Sequence, residues 1–223
     1  LRWADSSYSW RSFRGSRHRP SIVATDDGYL VLWAATNRSL LAQEFSRLQS
    51  NQLTTAVENA GGDSSDDVFL AAAGVLSAGD SIAGNEGYDT IQMTSAGTLD
   101  FTGVAVTSIE RLTGSSGTDR VIVSGLNLEG MQVRGGGGHD TLVVDRRLDL
   151  REVDLSGTWT LEAAGAGRVT ILVATFEQAM MIDARNTAVD LDISSVALNA
   201  EQRQRLFDRG VETIRDANSL ISA

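Results

Sequence analysis

The sequence predicts a mainly β protein: a parallel β-solenoid, β-roll-like, with a short C-terminal capping helix and a small N-terminal β unit. Three observations predict it. Turns rich in glycine and aspartate recur ahead of short aliphatic runs, as in a chain built from one repeated supersecondary unit. Between these turns the helical periodicity that βαβ crossovers require is missing, so recurring strands stack as coils. The clearest turn, Gly135-Gly136-Gly137-Gly138-His139-Asp140-Thr141-Leu142-Val143, runs from four glycines through a carboxylate into β-branched and aliphatic residues.

In chain order, residues 1–50 hold seven arginines against four carboxylates, and residues 51–223 hold twelve against twenty-five. The shift places a boundary near residues 50–60, giving a small β unit at 1–58, a solenoid at 59–198, and a capping helix with tail at 199–223. In the first unit, Pro20–Trp33 reads as two β-type runs joined by Asp26-Asp27-Gly28, a hairpin signal. The basic stretch Arg11–Arg19 reads as a solvated arm beside it. Residues 38–58 suit either a helix or a strand pair.

From Gly61 onward, setting the aspartates in register aligns four turns, ending at Asp67, Asp89, Asp119 and Asp140, with separations of 22, 30 and 21 residues. Thr98–Phe101, Ile109–Leu112, Met131–Val133, Leu148–Leu155, Thr158–Leu161, Val169–Val173 and Val189–Ile193 read as further strands. Ala200 to Arg209 reads as a helix, with Asn199 as N-cap, Gln202 at the capping-box position and Gly210 as stop. Such a helix covers an open end of a solenoid, and Val211–Ile214 adds a last strand.

If successive coils stack at the strand spacing of about 4.8 Å, the four aspartates form a column whose neighbours repel by about 1 kcal/mol in water and more where the dielectric falls. Two readings follow. A hard divalent cation held by carboxylate and carbonyl oxygens relieves the repulsion, or each aspartate caps its own turn amides.

Several chemistries are excluded. With no cysteine there is no disulfide framework or thiolate site, and with no lysine there is neither Schiff-base chemistry nor a P-loop. A net charge of -10 repels nucleic acid and suits cations. No apolar run approaches a membrane span. The start at Leu1 suggests a fragment or processed product. His139 and His18 lie in different units and form no pair with a nucleophile. Asp145, Arg146, Arg147, Asp149 and Asp154 are the carboxylates and arginines that a solenoid lyase or epimerase acting on acidic polysaccharide would use, although alternating acid and base on a strand is ordinarily a solvated ladder.

The Gly135–Val143 stretch resembles the Gly-Gly-x-Gly-x-Asp-x-aliphatic-x nonapeptide of the hemolysin-type (RTX) calcium-binding repeats. The turn ending at Asp89 carries Asn85 and the turn ending at Asp119 carries Ser115 at the second glycine position, while the turn at Asp67 keeps Gly62 and the aspartate. The Pro20–Trp33 segment is similar to one unit of short β repeats in large secreted bacterial proteins, as the end of an upstream array would be. The resemblance implies calcium as the cofactor, with ligands drawn from Asp67, from Gly84, Glu86 and Asp89, from Gly114, Ser116 and Asp119, and from Gly135, Gly137 and Asp140. It also implies type I secretion and a non-catalytic, extracellular role in adhesion or a surface layer, with cell-surface or polysaccharide ligands. One departure matters: the family's motifs follow one another directly, whereas these are spaced two to three times more widely.

Overall fold

The computed structural model describes residues 51–223 except Gly125, Asn127 and Asn186, and the backbone of the strands within 21–50. The chain forms two compact units, Leu1–Arg47 and Leu48–Ala223. In the first, β1 (Ser21–Thr25), β2 (Gly28–Ala34) and β3 (Leu40–Ser46) make an antiparallel sheet in the order β1-β2-β3. Thr25 pairs with Gly28, as the hairpin signal predicts. The Arg11–Arg19 stretch and residues 26–27 lie outside the described residues. Within the ambiguous span 38–58, residues 40–46 and 49–52 are strand, and 53–58 are irregular.

The second unit opens with β4 (Gln49–Gln52), β5 (Asn59–Gly61), β6 (Asp67–Ala71), β7 (Ser81–Ala83), β8 (Thr90–Met93) and β9 (Gly97–Asp100). It continues through β10 (Ala105–Thr107), β11 (Arg111–Thr113), β12 (Asp119–Ile122), β13 (Gln132–Arg134) and β14 (Asp140–Val144). β15 (Arg147–Asp149), β16 (Asp154–Ser156), β17 (Trp159–Ala163) and β18 (Val169–Leu172) follow. Then come α1 (Phe176–Ala179), β19 (Ile182–Asp183), β20 (Val189–Ile193), α2 (Ala200–Phe207), β21 (Val211–Asp216) and β22 (Leu220–Ser222).

These strands wind a β-solenoid of about seven turns. The sheets run β10-β7-β5, β16-β13-β11-β8-β6-β4, β19-β17-β14-β12-β9 and β15-β18-β20-β21-β22. Pairing in this unit is parallel except for the final β21–β22 step. The expected strand Leu148–Leu155 is two strands, β15 and β16, which belong to different sheets.

Each strand turns one aliphatic column inward. Phe69, Ile91, Leu112 and Val133 lie in register in the six-stranded sheet, and Leu99, Val121, Leu142, Leu161 and Ile182 in the next. Leu148, Ile171, Leu191 and Ile214 do the same in the last sheet. All are buried. Equivalent residues meet like with like because the side-chain period of a strand is two and the parallel register fixes which positions face in.

α2 forms where the sequence places it. Asn199 Oδ1 accepts the Gln202 amide at 2.8 Å and Gln202 Oε1 accepts the Asn199 amide at 3.0 Å, a complete capping box. The helix ends at Phe207, before the expected Arg209, with Gly210 in the left-handed region at φ 90. Its buried residue is Leu206, while Phe207 is half-buried against the core.

Candidate functional site

The turns stack directly. β12 pairs β14 with Arg120 opposite Thr141, so the Asp119 and Asp140 turns face each other one strand apart. Gly136 lies over Ser115, Gly137 over Ser116, and Gly138 over Gly117 and Thr118. A Cβ at Gly137 would come within 2.5 Å of the Ser116 carbonyl oxygen, and one at Gly138 within 2.7 Å of the Thr118 nitrogen. The glycine run is therefore a condition of coil stacking: backbone packs on backbone where no side chain fits.

The four aspartates do not form one column. Asp67 and Asp89 precede equivalent positions of the six-stranded sheet, whereas Asp119 and Asp140 open strands of the five-stranded sheet β19-β17-β14-β12-β9. Separations of 22 and 21 residues advance the chain by one coil; the 30-residue step from Asp89 to Asp119 also carries it onto the next sheet. The residue that continues the first column is Glu110, whose Oε2 accepts the Asp89 amide at 2.7 Å.

Two buried aspartates, Asp80 and Asp119, share a complete bonding pattern. Oδ1 accepts an amide from the preceding coil and Oδ2 accepts one from the residue's own turn. Asp80 Oδ1 takes the Glu58 amide at 3.0 Å and its Oδ2 the Ser77 amide at 2.7 Å. Asp119 Oδ1 takes the Gly97 amide at 3.3 Å and the Ser115 hydroxyl at 2.9 Å, and its Oδ2 takes the Ser115 amide at 2.6 Å. Asp140 Oδ1 takes the Asp119 amide at 2.9 Å. Asp80 and Asp119 thus clamp one coil to the next while closing their own turns, Asp140 bonds across the coils, and charge-assisted bonds to backbone N–H are among the stronger kinds.

Two clamps are incomplete. Asp89 Oδ1 accepts the Asp67 amide at 2.7 Å, but its Oδ2 is buried without a partner. Asp67 Oδ2 accepts the Asp63 amide at 2.7 Å, but its Oδ1 is buried without a partner. At the Asp89 turn Asn85 occupies the place of Ser115 and adopts φ 75, in the left-handed region, so its amide does not serve Oδ2. Burial pushes the Asp89 carboxyl up, opposed by the Asp67 amide and reinforced by the charges of Glu110, Asp67 and Asp66. Burial likewise raises Asp67, reinforced by Asp63 and Asp66, and raises Asp140, reinforced by Asp119.

This geometry bears on the calcium ligands that the resemblance implies. Around Asp119 and Asp140 the Ser115 carbonyl accepts the Gly137 amide at 3.0 Å, and the Arg134 carbonyl accepts the Gly114 amide at 2.7 Å. Gly114, Gly135 and Gly137 lie where the packing is too close for a Cβ, and Ser116 lies beneath Gly137. Gly84, Glu86, Asp89 and Asp67 lie at the other corner, where two buried carboxylate oxygens are open; Gly84 packs against the Ser108 carbonyl and Glu86 is exposed. Among the described residues no three Asp, Glu or His side chains converge as a metal-binding group.

Asp145, Arg146, Arg147, Asp149 and Asp154 follow β14 and run through β15 to β16. Asp145 accepts the Ser124 hydroxyl at 2.7 Å. Asp149 is bound by Arg151, with Arg147 at 3.4 Å, and the Arg151 hydrogen bond holds its carboxyl low. Asp154 opens β16, on a different sheet.

Asp80 and Glu110 are the clamping residues that the sequence reading passes over. Both carry a usable signal: Asp80 lies 22 residues after Glu58, and Glu110 lies 21 after Asp89, which is the coil period. No helix among the described residues is long and apolar enough to cross a membrane. No protein-family model, curated protein or solved structure matches the chain.

Proposed function

We propose that residues 48–223 are a non-catalytic β-solenoid module of a larger secreted surface or adhesion protein, an architectural rod whose coils are fastened by carboxylate–amide clamps. The observation that carries this reading is the bond from the Asp119 amide to Asp140 Oδ1, made at the turn where an ion would otherwise sit. The extracellular setting draws support from the nonapeptide-like turn and from an acidic, cysteine-free composition similar to that of the hemolysin-type group. A second reading, calcium held at the Asp67 and Asp89 corner, is favoured by the two open oxygens there.

One set of melts separates the two. Asp140→Asn keeps an acceptor for the Asp119 amide and lowers stability little. Asp140→Ala leaves that buried amide unpaired and costs about 1–3 kcal/mol. Chelator leaves both results unchanged. Stabilisation by millimolar calcium that vanishes in Asp89→Asn would establish the second reading, and calcium stabilisation that vanishes in Asp140→Asn would overturn the clamp.

A further inference from the structure

Charge is distributed unevenly along the solenoid. From Asn51 to Glu110 the sequence holds nine carboxylates and not one arginine, lysine or histidine; the first basic residue is Arg111. From Arg111 to the end it holds twelve arginines against sixteen carboxylates. Every ion pair among the described residues joins partners between Arg120 and Asp216. The arginine-free segment also contains the buried carboxylates Asp67, Asp80 and Asp89, and both aspartate oxygens that lack a partner.

A solenoid is close to one-dimensional. Each coil contacts its neighbours, so a weak stretch can open without unfolding the remainder. The carboxylates on these adjacent coils repel, and no cationic side chain within the segment offsets them. Dissolved counter-ions must do so, and their reach depends on concentration: the screening length is roughly 20 Å in about 20 mM salt and roughly 6 Å in about 300 mM. The exposed carboxylates of the segment, Asp66 and Glu86, lie in consecutive stacked turns, where screening acts most strongly.

We infer that the coils spanning residues 51–110 are a salt-gated segment of the rod, which opens at low ionic strength independently of residues 111–223 and closes as ionic strength rises. The inference stands on the placement of charge and holds with or without calcium at the Asp67 and Asp89 corner. It gives the module a pliant end in dilute medium and a rigid one in saline.

Hydrogen–deuterium exchange of the whole chain tests it, with chelator present throughout so that bound calcium cannot contribute. Going from about 300 to about 20 mM sodium chloride at neutral pH, protection of residues 67–71 and 90–93 should fall about tenfold or more, while residues 140–144 and 169–172 change less than about twofold. The double variant Asp66→Asn, Glu86→Gln removes two exposed charges and keeps an acceptor for the Tyr88 amide; it should recover much of the lost protection at low salt. Equal loss in both halves, no loss in either, or a double variant that behaves as the parent would each overturn the inference.

Discussion

Gly84 and Gly130 show how differently two glycines constrain the chain. Gly84 has no left-handed backbone angle, yet a Cβ there would collide with the Ser108 carbonyl and the Asp89 carboxylate. Gly130 sits at φ 75 with nothing within 4 Å of a Cβ. Gly130→Ala therefore meets only the left-handed penalty of about 1–2 kcal/mol, whereas Gly84→Ala must push two coils apart and should cost about 3 kcal/mol or more. Chemical denaturation of the two variants checks the order, and a larger loss at Gly130 would contradict stacking as the reason for Gly84. The same close approach explains the Gly135–Gly138 run, whose sequence announces a turn but not the turn beneath it. Local residue types carry φ preferences; the identity of the atoms one coil below is set by register and is absent from any single turn.

At the scale of elements, α2 closes the last coils through one polar cap and one buried leucine. Asn199→Ala removes the acceptor for the Gln202 amide and should lower stability by about 1 kcal/mol, and a melting temperature unchanged from the parent would show that packing of Leu206 alone holds the helix. α2 was legible because its cap, its capping-box glutamine and its terminal glycine all lie within twelve residues. α1 was not: four residues after Thr175 give no periodicity to read, and the helix rests on the Thr175 hydroxyl accepting the Gln178 amide at 3.1 Å. β20 and β18 were legible as strands: Val189–Ile193 alternates apolar with acidic residues, and Val169–Leu172 is mainly apolar. The aspartate turns were legible singly and misaligned jointly. A 30-residue step looks like a long repeat, but it is one coil plus a change of sheet, and Glu110 holds the place that an aspartate-only search leaves blank.

Over the whole molecule, ionisation divides the solenoid into parts that respond oppositely to pH. Asp67, Asp89 and Asp140 are raised from the ordinary 3.8, first by burial, so the folded state holds their protons more tightly than the unfolded chain. Their contribution is complete below about pH 4 and is lost as pH rises through the folded-state values. Asp149, Glu162 and Asp183 are lowered first by hydrogen bonds from Arg151, Arg120 and Arg185, Asp183 to about 2. Their contribution is present above about pH 4 and is lost as pH falls through the lowered values. On acidification from neutral, protection of the strands at 67–71 and 90–93 should therefore rise relative to that of 147–149 and 159–163, once corrected for intrinsic exchange rates. A ratio that falls would mean that another group governs the acid response.

The last pairing of the rod sets a direction on its growth. β22 returns antiparallel along β21, the single reversal in a unit otherwise paired in parallel, so the sheet at that end presents the wrong strand direction for another coil. Lengthening must come from within or from the opposite end. Copying one period inside the stack, such as the 22 residues from Val68 to Asp89, keeps the parallel register of β6 and β8, whereas the same residues appended after Ala223 meet a strand running against the coil direction. Internal duplication therefore changes length in such a rod without disturbing the antiparallel β21–β22 pair.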